Sequence, residues 1–258
     1  MSPAPDLDRR APAVVVLTGA GVSADSGLAT FRGAGGLWEG HALLDVATPE
    51  GWRRDPRLVW RFYQLRRAAL GGAEPNAAHR ALAALERRLV AAGGRFALLT
   101  QNVDDLHERA GSGQPLHLHG ELAVLRCEAC GARARDTVPI DPARTDPEVF
   151  LPCRACGHAH LRPDVVWFGE LPRHLEDCAP VLQDCTHFLA LGTSGLVYPA
   201  AGLLEVARAR GARTVVQGLE APANLHPADR FVPGRAAEVL PALLEELFGG
   251  ATAPVVPG

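Results

Sequence analysis

The stretch that most restricts the fold is AVVVLT, residues 13–18, a β-branched apolar run that stops at the glycine turn Gly19-Ala20-Gly21. A strand that is apolar at every position has no face to show water, so it has to lie inside a parallel sheet covered on both sides. Three further runs repeat the pattern: RFALLT (95–100), THFLALG (186–192) and ARTVVQ (212–217). Helical patterns separate them. Asn76 is placed to cap AAHRALAALERRLVAAGG, with Leu82, Leu85 and Leu89 on one stripe and Gly93 and Gly94 marking its end. AGLLEVARARG and AAEVLPALLEELFG read as two more helices, and VSADSGLA opens another directly after the first turn. The class expected is α/β, a parallel sheet with helices on both faces.

In such a sheet ligands sit beyond the carboxyl ends of the strands. The segments that follow the four strands are TGAGVSADSGLATFRG, QNVDDLHERAG, TSGLVYPAA and GLEAPAN, all polar and rich in small residues. Gly19 to Ala24 fits G-x-G-x-x-A, a turn that brings backbone N–H groups up to a pyrophosphate, although no acidic residue ends a second strand ~20 residues later. A tight turn without a ligand is the other reading of that match.

Between the second and third strands lie two cysteine pairs, Cys127-x-x-Cys130 and Cys153-x-x-Cys156, each with a knuckle glycine (CEACG, CRACG). The spacing suits one tetrahedral four-thiolate zinc ion, structural because no ligand position is left open. Disulfides or a redox pair are less well supported, since the N-terminal MSPAPDLDRRAPA has no apolar core of a secretory signal. Cys178 and Cys185 fall outside the pattern and read as small buried hydrophobes.

At 258 residues and 47% hydrophobic, the chain can bury a large core. A net charge of −3 with both signs interspersed argues against wholesale binding to nucleic acid or anionic membrane. No apolar run reaches the ~20 residues of a membrane span, and a cytoplasmic location is expected. LHLHGEL supplies two histidines beside the zinc segment: His119 as a candidate general base, His117 as a satisfied structural residue.

Taken in order, GAGVSADSGLATFRG, TQNVDDLHERAG, HGEL, the paired CxxC, RPDVVWFGE and GTSGLVYPAA resemble the motifs of sirtuins, the NAD-dependent protein-lysine deacylases, over about residues 13 to 245. The resemblance implies a Rossmann-like domain (13–31, 76–119 and 163–248), a helical module (32–75) and a zinc ribbon (120–162), with loose tails at 1–12 and 249–258. It implies NAD+ as co-substrate, held by Gly19, Ala20, Gly21, Ser23, Phe31, Arg32, Trp38, Gln101, Asn102, Asp104, Gly192, Thr193, Ser194, Gly218, Glu220 and Ala236. His119 matches the family's base, with Asn102 and Asp104 beside it in the nicotinamide pocket. The acyl-lysine oxygen would displace nicotinamide in a site that excludes water, and His119 would take a proton from a ribose hydroxyl. The products would be free lysine, nicotinamide and O-acyl-ADP-ribose.

The substrate, an acylated lysine on another protein, would lie extended between Val166, Phe168, Gly169 and Glu170 on one side and Val197 and Tyr198 on the other. A monomer is expected. Tyr63 and Arg66 in FYQLRR share one helix face and resemble the pair that marks the desuccinylase and demalonylase branch, in which a carboxylate on the acyl group meets a guanidinium and a phenol. Arg67 competes with Arg66 for the inward position. The expected activity is removal of succinyl, malonyl or glutaryl groups. A broad deacetylase or an ADP-ribosyltransferase of the same family is the alternative, and a non-catalytic binding module a distant third. One departure stands out: Gly218-Leu219-Glu220 occupies the place of the family's Asn-x-Glu, which removes an amide from the adenosine ribose.

Overall fold

A computed structural model describes residues 11–29, 37–38, 41–136, 152–159 and 161–249, with the backbone alone at 37–38. The chain begins with β1 (Ala13–Thr18) and the single turn α1 (Ala20–Ser23), then β2 (Leu37–Trp38), β3 (His41–Ala42), α2 (Leu43–Val46), α3 (Pro49–Arg54) and α4 (Pro56–Gly72). It continues through α5 (Ala77–Ala91), β4 (Arg95–Thr100), α6 (Leu106–Arg109), β5 (Leu116–His117), β6 (Gly120–Cys127), β7 (Arg133–Arg135) and β8 (Leu161–Val165). The remainder is α7 (Leu175–Gln183), β9 (His187–Leu191), α8 (Leu203–Ala209), β10 (Arg213–Gly218), β11 (Arg230–Pro233) and α9 (Ala236–Phe248).

β1 is buried along its whole length because it is the pivot of a six-stranded parallel sheet ordered β11-β10-β9-β1-β4-β5. Its alternate residues serve two cores. Val14 and Val16 pack with Leu82, Leu85 and Leu89 of α5 and Leu240 and Leu244 of α9; Val15 and Leu17 pack with Leu182 of α7 and Leu204 of α8. From β1 the chain moves outward through β4 and β5, then returns to the other side of β1 with β9. The switch point therefore lies between β1 and β9, where a crevice opens at the carboxyl ends of the strands.

Asn76 caps α5 as expected: its side chain accepts from the Ala78 N–H at 2.9 Å, and His79 answers by accepting from the Asn76 N–H at 3.3 Å. The first helix is shorter than VSADSGLA suggests, passing into a 3-10 turn over Ala24–Ser26 and ending at Gly27 (φ 84°). A further helix, α7, occupies the interval after RPDVVWFGE. Pro180 inside it breaks the helical pattern, yet Cys178 and Leu182 are buried and hold it against the sheet.

A third core, away from the parallel sheet, gathers Trp52, Val59, Trp60, Phe62, Tyr63 and Leu70 from α3 and α4 with Leu125, Cys127, Cys153, Leu161, Val165 and Trp167. Its sheet is antiparallel, ordered β7-β6-β8. Asp164 of β8 is 1% exposed and draws three arginines, Arg173, Arg133 (3.3 Å) and Arg126 (3.8 Å). Among the described residues no helix is long and apolar enough to cross a membrane.

Candidate active site

The loops after β1 and β9 meet backbone to backbone. Gly19 N–H donates to the Leu191 carbonyl and Gly21 N–H to the Gly192 carbonyl, both at 2.9 Å. A Cβ on Gly21 would stand 2.8 Å from Gly192 Cα, and one on Gly192, where φ is +60°, would stand 2.5 Å from Val22 N. Only glycine fits either place. Gln101 extends the floor from β4 by donating to Thr193 Oγ1 at 3.1 Å, and Ser194 is exposed beside it. At the next strand end Gly218 accepts from Gly234 N–H at 3.0 Å, with Glu220 exposed and Ala236 buried at the start of α9. Asp25 ties the first loop to that helix through Arg235 (2.7 Å) and Ala237 N–H (3.1 Å).

Under this floor lies a buried polar network. Ser23 Oγ donates to Asp104 Oδ2 at 2.9 Å and accepts from Asn102 Nδ2 at 3.1 Å; the same amide reaches the Gly19 carbonyl at 3.2 Å. Burial raises the Asp104 pKa above the usual carboxylate value, against the pull of Ser23, the Leu106 N–H and His117. His79 and His107 stack edge to face at 4.8 Å. Thr18 donates to Thr100, which obliges His107 Nε2–H to donate to Thr18 and leaves Nδ1 bare and buried. Burial, with neighbouring positive charge, pushes His79 down to about 4 and His107 down to about 3.

The two histidines flanking Leu118 separate cleanly. His117 is fully engaged: Nδ1 bonds the Asn102 carbonyl at 3.1 Å and Nε2 the Glu108 carboxylate at 2.7 Å. Burial alone would lower its pKa, but Glu108 raises it on balance, and Glu108 is lowered in return. Among the described residues His119 has one side-chain partner, the Gln101 carbonyl at 3.1 Å from Nδ1. A carbonyl only accepts, so the proton sits on Nδ1 and Nε2 presents a free lone pair. Burial lowers the pKa despite that bond, which favours the neutral ring with Nε2 unprotonated.

The His119 carbonyl accepts from Val166 N–H at 2.8 Å, and the next residue, Trp167, donates its indole N–H to the Tyr63 hydroxyl at 3.0 Å. The histidine and the α4 phenol thus flank one two-residue segment. Tyr63 is completely buried; burial drives its pKa upward, against the pull of Trp167, Arg66 and Arg162. Arg66, 8% exposed, lies 3.8 Å over the Phe62 ring. Arg67 is committed elsewhere, to Asp136 (3.0 Å) and Gln64 (3.1 Å). Phe168 and Gly169 are exposed, Val166 half-buried, and the Glu170 carboxylate is spent on Arg162 and Trp167 N–H. In the loop after β9, Val197 is half-buried and Tyr198 is 65% exposed. Phe31 and Arg32 lie outside the described residues, and of Trp38 in β2 only the backbone, paired with His41 of β3, is described.

The four thiols of Cys127, Cys130, Cys153 and Cys156 converge within 4.8 Å of one another. Cys127 and Cys156 sulfurs are 3.6 Å apart and Cys130 and Cys153 sulfurs 3.7 Å, close to the ~3.8 Å edge of a tetrahedron with Zn–S bonds of about 2.3 Å. The residues fit a closed structural zinc ion. The glycines at 19, 21 and 192 let the two loops meet backbone to backbone, and the tight turn they form between β1 and α1 is of the kind that brings backbone N–H groups up to a pyrophosphate.

A doubly wound sheet with such a floor at its switch point, joined to a lobe that carries a four-cysteine zinc site, defines an NAD-dependent enzyme of the sirtuin fold class. The Sir2 family profile matches residues 19–199, and the chain belongs to the Sir2 family. It is 51% identical to an NAD-dependent protein deacylase of Caulobacter vibrioides, covering 91% of this chain and 96% of that one. It is 45% identical to the NAD-dependent protein deacylase SIR2rp3 of Trypanosoma brucei brucei, covering 92% and 95%. A solved Sir2 homologue–NAD complex superposes with a TM-score of 0.81 at 38% identity, over 93% of this chain and 90% of that one. Sir2Af2 bound to a myristoylated histone peptide gives 0.70 at 34% identity, over 92% and 91%. The chain is an NAD-dependent protein deacylase with one structural zinc site.

Three residues that shape the site escaped the sequence. Trp167 sits inside VVWFGE, where an aromatic reads as core, and His79 sits inside a helix whose apolar stripe explains its neighbours. Arg162 gives no local signal, because its partner Glu170 only meets it in the fold.

Proposed function

We propose that this deacylase removes acidic acyl groups, succinyl and malonyl with glutaryl as the longer limit, from lysines of other proteins. The observation that carries this is the placement of Tyr63 and Arg66 on one buried face of α4, one residue beyond the Val166 segment that bonds His119. A lysine entering beside His119 would direct its acyl end toward that face. There the guanidinium and the phenol would grip a terminal carboxylate through charge-assisted hydrogen bonds. Each is worth roughly 1.5–3 kcal/mol, a ten- to several-hundredfold preference over acetyl. The substrate peptide would lie extended between the Val166–Glu170 and Val197–Tyr198 edges.

In this reading Asn102 and Asp104, braced by Ser23, hold the nicotinamide end of NAD+. Nucleotide chemistry supplies the leaving group, and the protein's part is to exclude water and to receive a ribose hydroxyl proton at His119 Nε2. The test is a steady-state comparison of one peptide bearing succinyl-, malonyl- or acetyl-lysine, with nicotinamide release as the readout. Acidic groups should be preferred at least tenfold, and Arg66→Met should abolish that preference while slow deacetylation persists. Equal turnover of all three by the unaltered enzyme, or equal loss of all three in the variant, would return the enzyme to a broad deacetylase. Label from NAD+ retained on protein would instead mark an ADP-ribosyltransferase.

A further inference from the structure

An indole N–H can only donate, so the 3.0 Å contact between Trp167 Nε1 and the Tyr63 hydroxyl has one polarity: the phenol oxygen accepts. A phenol has one proton of its own, held in the plane of the ring to favour conjugation. With Trp167 occupying one side of the oxygen, that proton has to point to the other. Among the described residues none accepts it, although Tyr63 is completely buried. A buried donor without an acceptor destabilises the fold, and a ligand acceptor would relieve that penalty.

Trp167 has little freedom to turn away. The Arg162 guanidinium lies 3.3 Å over its ring and is clamped by both oxygens of Glu170 at 2.9 Å and by the Val165 carbonyl at 2.9 Å. Glu170 also accepts the Trp167 backbone N–H at 2.8 Å, and Trp52 packs on the indole at 5.9 Å between centroids. The chain Glu170–Arg162–Trp167–Tyr63 therefore fixes the direction of a single hydroxyl proton. Resting on the acidic-acyl reading above, we infer that Trp167 is a specificity-determining positioning residue: its indole N–H fills the acceptor side of the Tyr63 hydroxyl and so commits the phenol to donate to the carboxylate at the end of the acyl group. Tyr63 stays protonated at any working pH because burial holds its proton, so the donor is always present.

The experiment is a double-mutant cycle on kcat/KM for succinyl- and acetyl-lysine peptides, using Trp167→Phe, Tyr63→Phe and the pair. Each single change should lower the succinyl-to-acetyl ratio about tenfold, expressed mainly in the KM of the succinyl peptide. The pair should be no worse than Tyr63→Phe alone. Ratios that multiply, or an unaltered ratio in Trp167→Phe, would overturn the inference and leave the acidic-acyl reading standing. A wild-type ratio near one would remove that reading and this inference with it. A second readout needs no turnover and no stable Trp167→Phe: in protein labelled with 15N-tryptophan, Tyr63→Phe should move the Trp167 indole N–H resonance upfield and speed its exchange. An unmoved resonance would refute the hydrogen bond on which the positioning depends.

Discussion

Ser23 Oγ donates to Asp104 Oδ2 across 2.9 Å, joining residues 81 positions apart. The direction of that proton is forced. Asn102 Nδ2 donates to the same hydroxyl, and His79, whose Nδ1 accepts the Asn76 N–H, has only its Nε2–H to turn toward it at 3.4 Å. Two donors arrive and one proton leaves, so the hydroxyl is locked onto the carboxylate. The turn after β1 and the turn after β4 are thereby held in one geometry.

Removing that hydroxyl has a predictable cost. In Ser23→Ala, Asp104 keeps its burial and loses its side-chain donor, so its pKa rises further above the usual range. One buried charge-assisted bond is worth roughly 1.5–3 kcal/mol. We expect kcat/KM for NAD+ to fall ten- to a hundredfold, with the acid side of the pH–rate profile displaced upward. An unchanged profile at unchanged KM would show the network to be a passive brace.

The buried histidines make stability depend on pH in two opposite senses. His79 and His107 are held neutral, with folded pKa values of about 4 and about 3 against an ordinary 6.5. Below pH ~6.5 the unfolded chain takes up protons that the folded chain refuses, so stability falls by up to about 1.4 kcal/mol per pH unit for each ring. His117 is raised by Glu108, so its contribution is complete below its unfolded pKa and is lost as pH rises through its folded one. Urea midpoints should therefore decline from pH 6.5 to 5 and decline less steeply in His107→Asn. His117→Gln should flatten the alkaline side instead.

How much of this was legible in the chain follows from where each signal resides. Val14 and Val16 against Val15 and Leu17 serve two cores, and an uninterrupted apolar run is what such a strand has to look like. Cysteine spacing carries its own geometry, since each pair is closed by a local turn, and the Asn76 cap is local too. Signals that need the fold were silent. Pro180 hid α7, while Trp167 acquires its meaning from a tyrosine 104 positions away. The choice between Arg66 and Arg67 was open at the level of helix faces, because both are 8% exposed and only their partners separate them, Asp136 and Gln64 for Arg67 and the Phe62 ring for Arg66.

All 26 basic residues of the Lys and Arg class are arginine: the 258 residues contain no lysine. A deacylase without lysine carries no ε-amine of the kind it acts on, so copies of it cannot serve as each other's substrates. Arginine, charged at any working pH, is a poor nucleophile toward acyl donors. Incubation with succinyl-CoA should add no more than one succinyl group by intact mass, at the N-terminal amine, and leave the rate unaltered, whereas a variant with surface arginines changed, such as Arg53→Lys and Arg230→Lys, should gain further adducts. Loss of activity in the unaltered enzyme would show that another nucleophile is vulnerable.

Arg67 offers the sharpest contrast with its neighbour. Its guanidinium meets the Asp136 carboxylate at 3.0 Å and backbone carbonyl at 2.7 Å, and Gln64 at 3.1 Å, tying α4 to the chain just beyond β7. Both side chains are largely withdrawn from water, at 5% and 14% exposure. Breaking such a pair by removing one partner costs ~3–5 kcal/mol, and the lower end applies because Asp136 keeps some solvent. Arg67→Met should therefore lower the melting temperature by several degrees and depress desuccinylation and deacetylation by the same factor. Arg66→Met should do the reverse, moving the ratio of the two activities with little change in melting. If the two variants exchanged these signatures, Arg67 would be the residue that meets the acyl carboxylate, and the specificity would rest on the other face of α4.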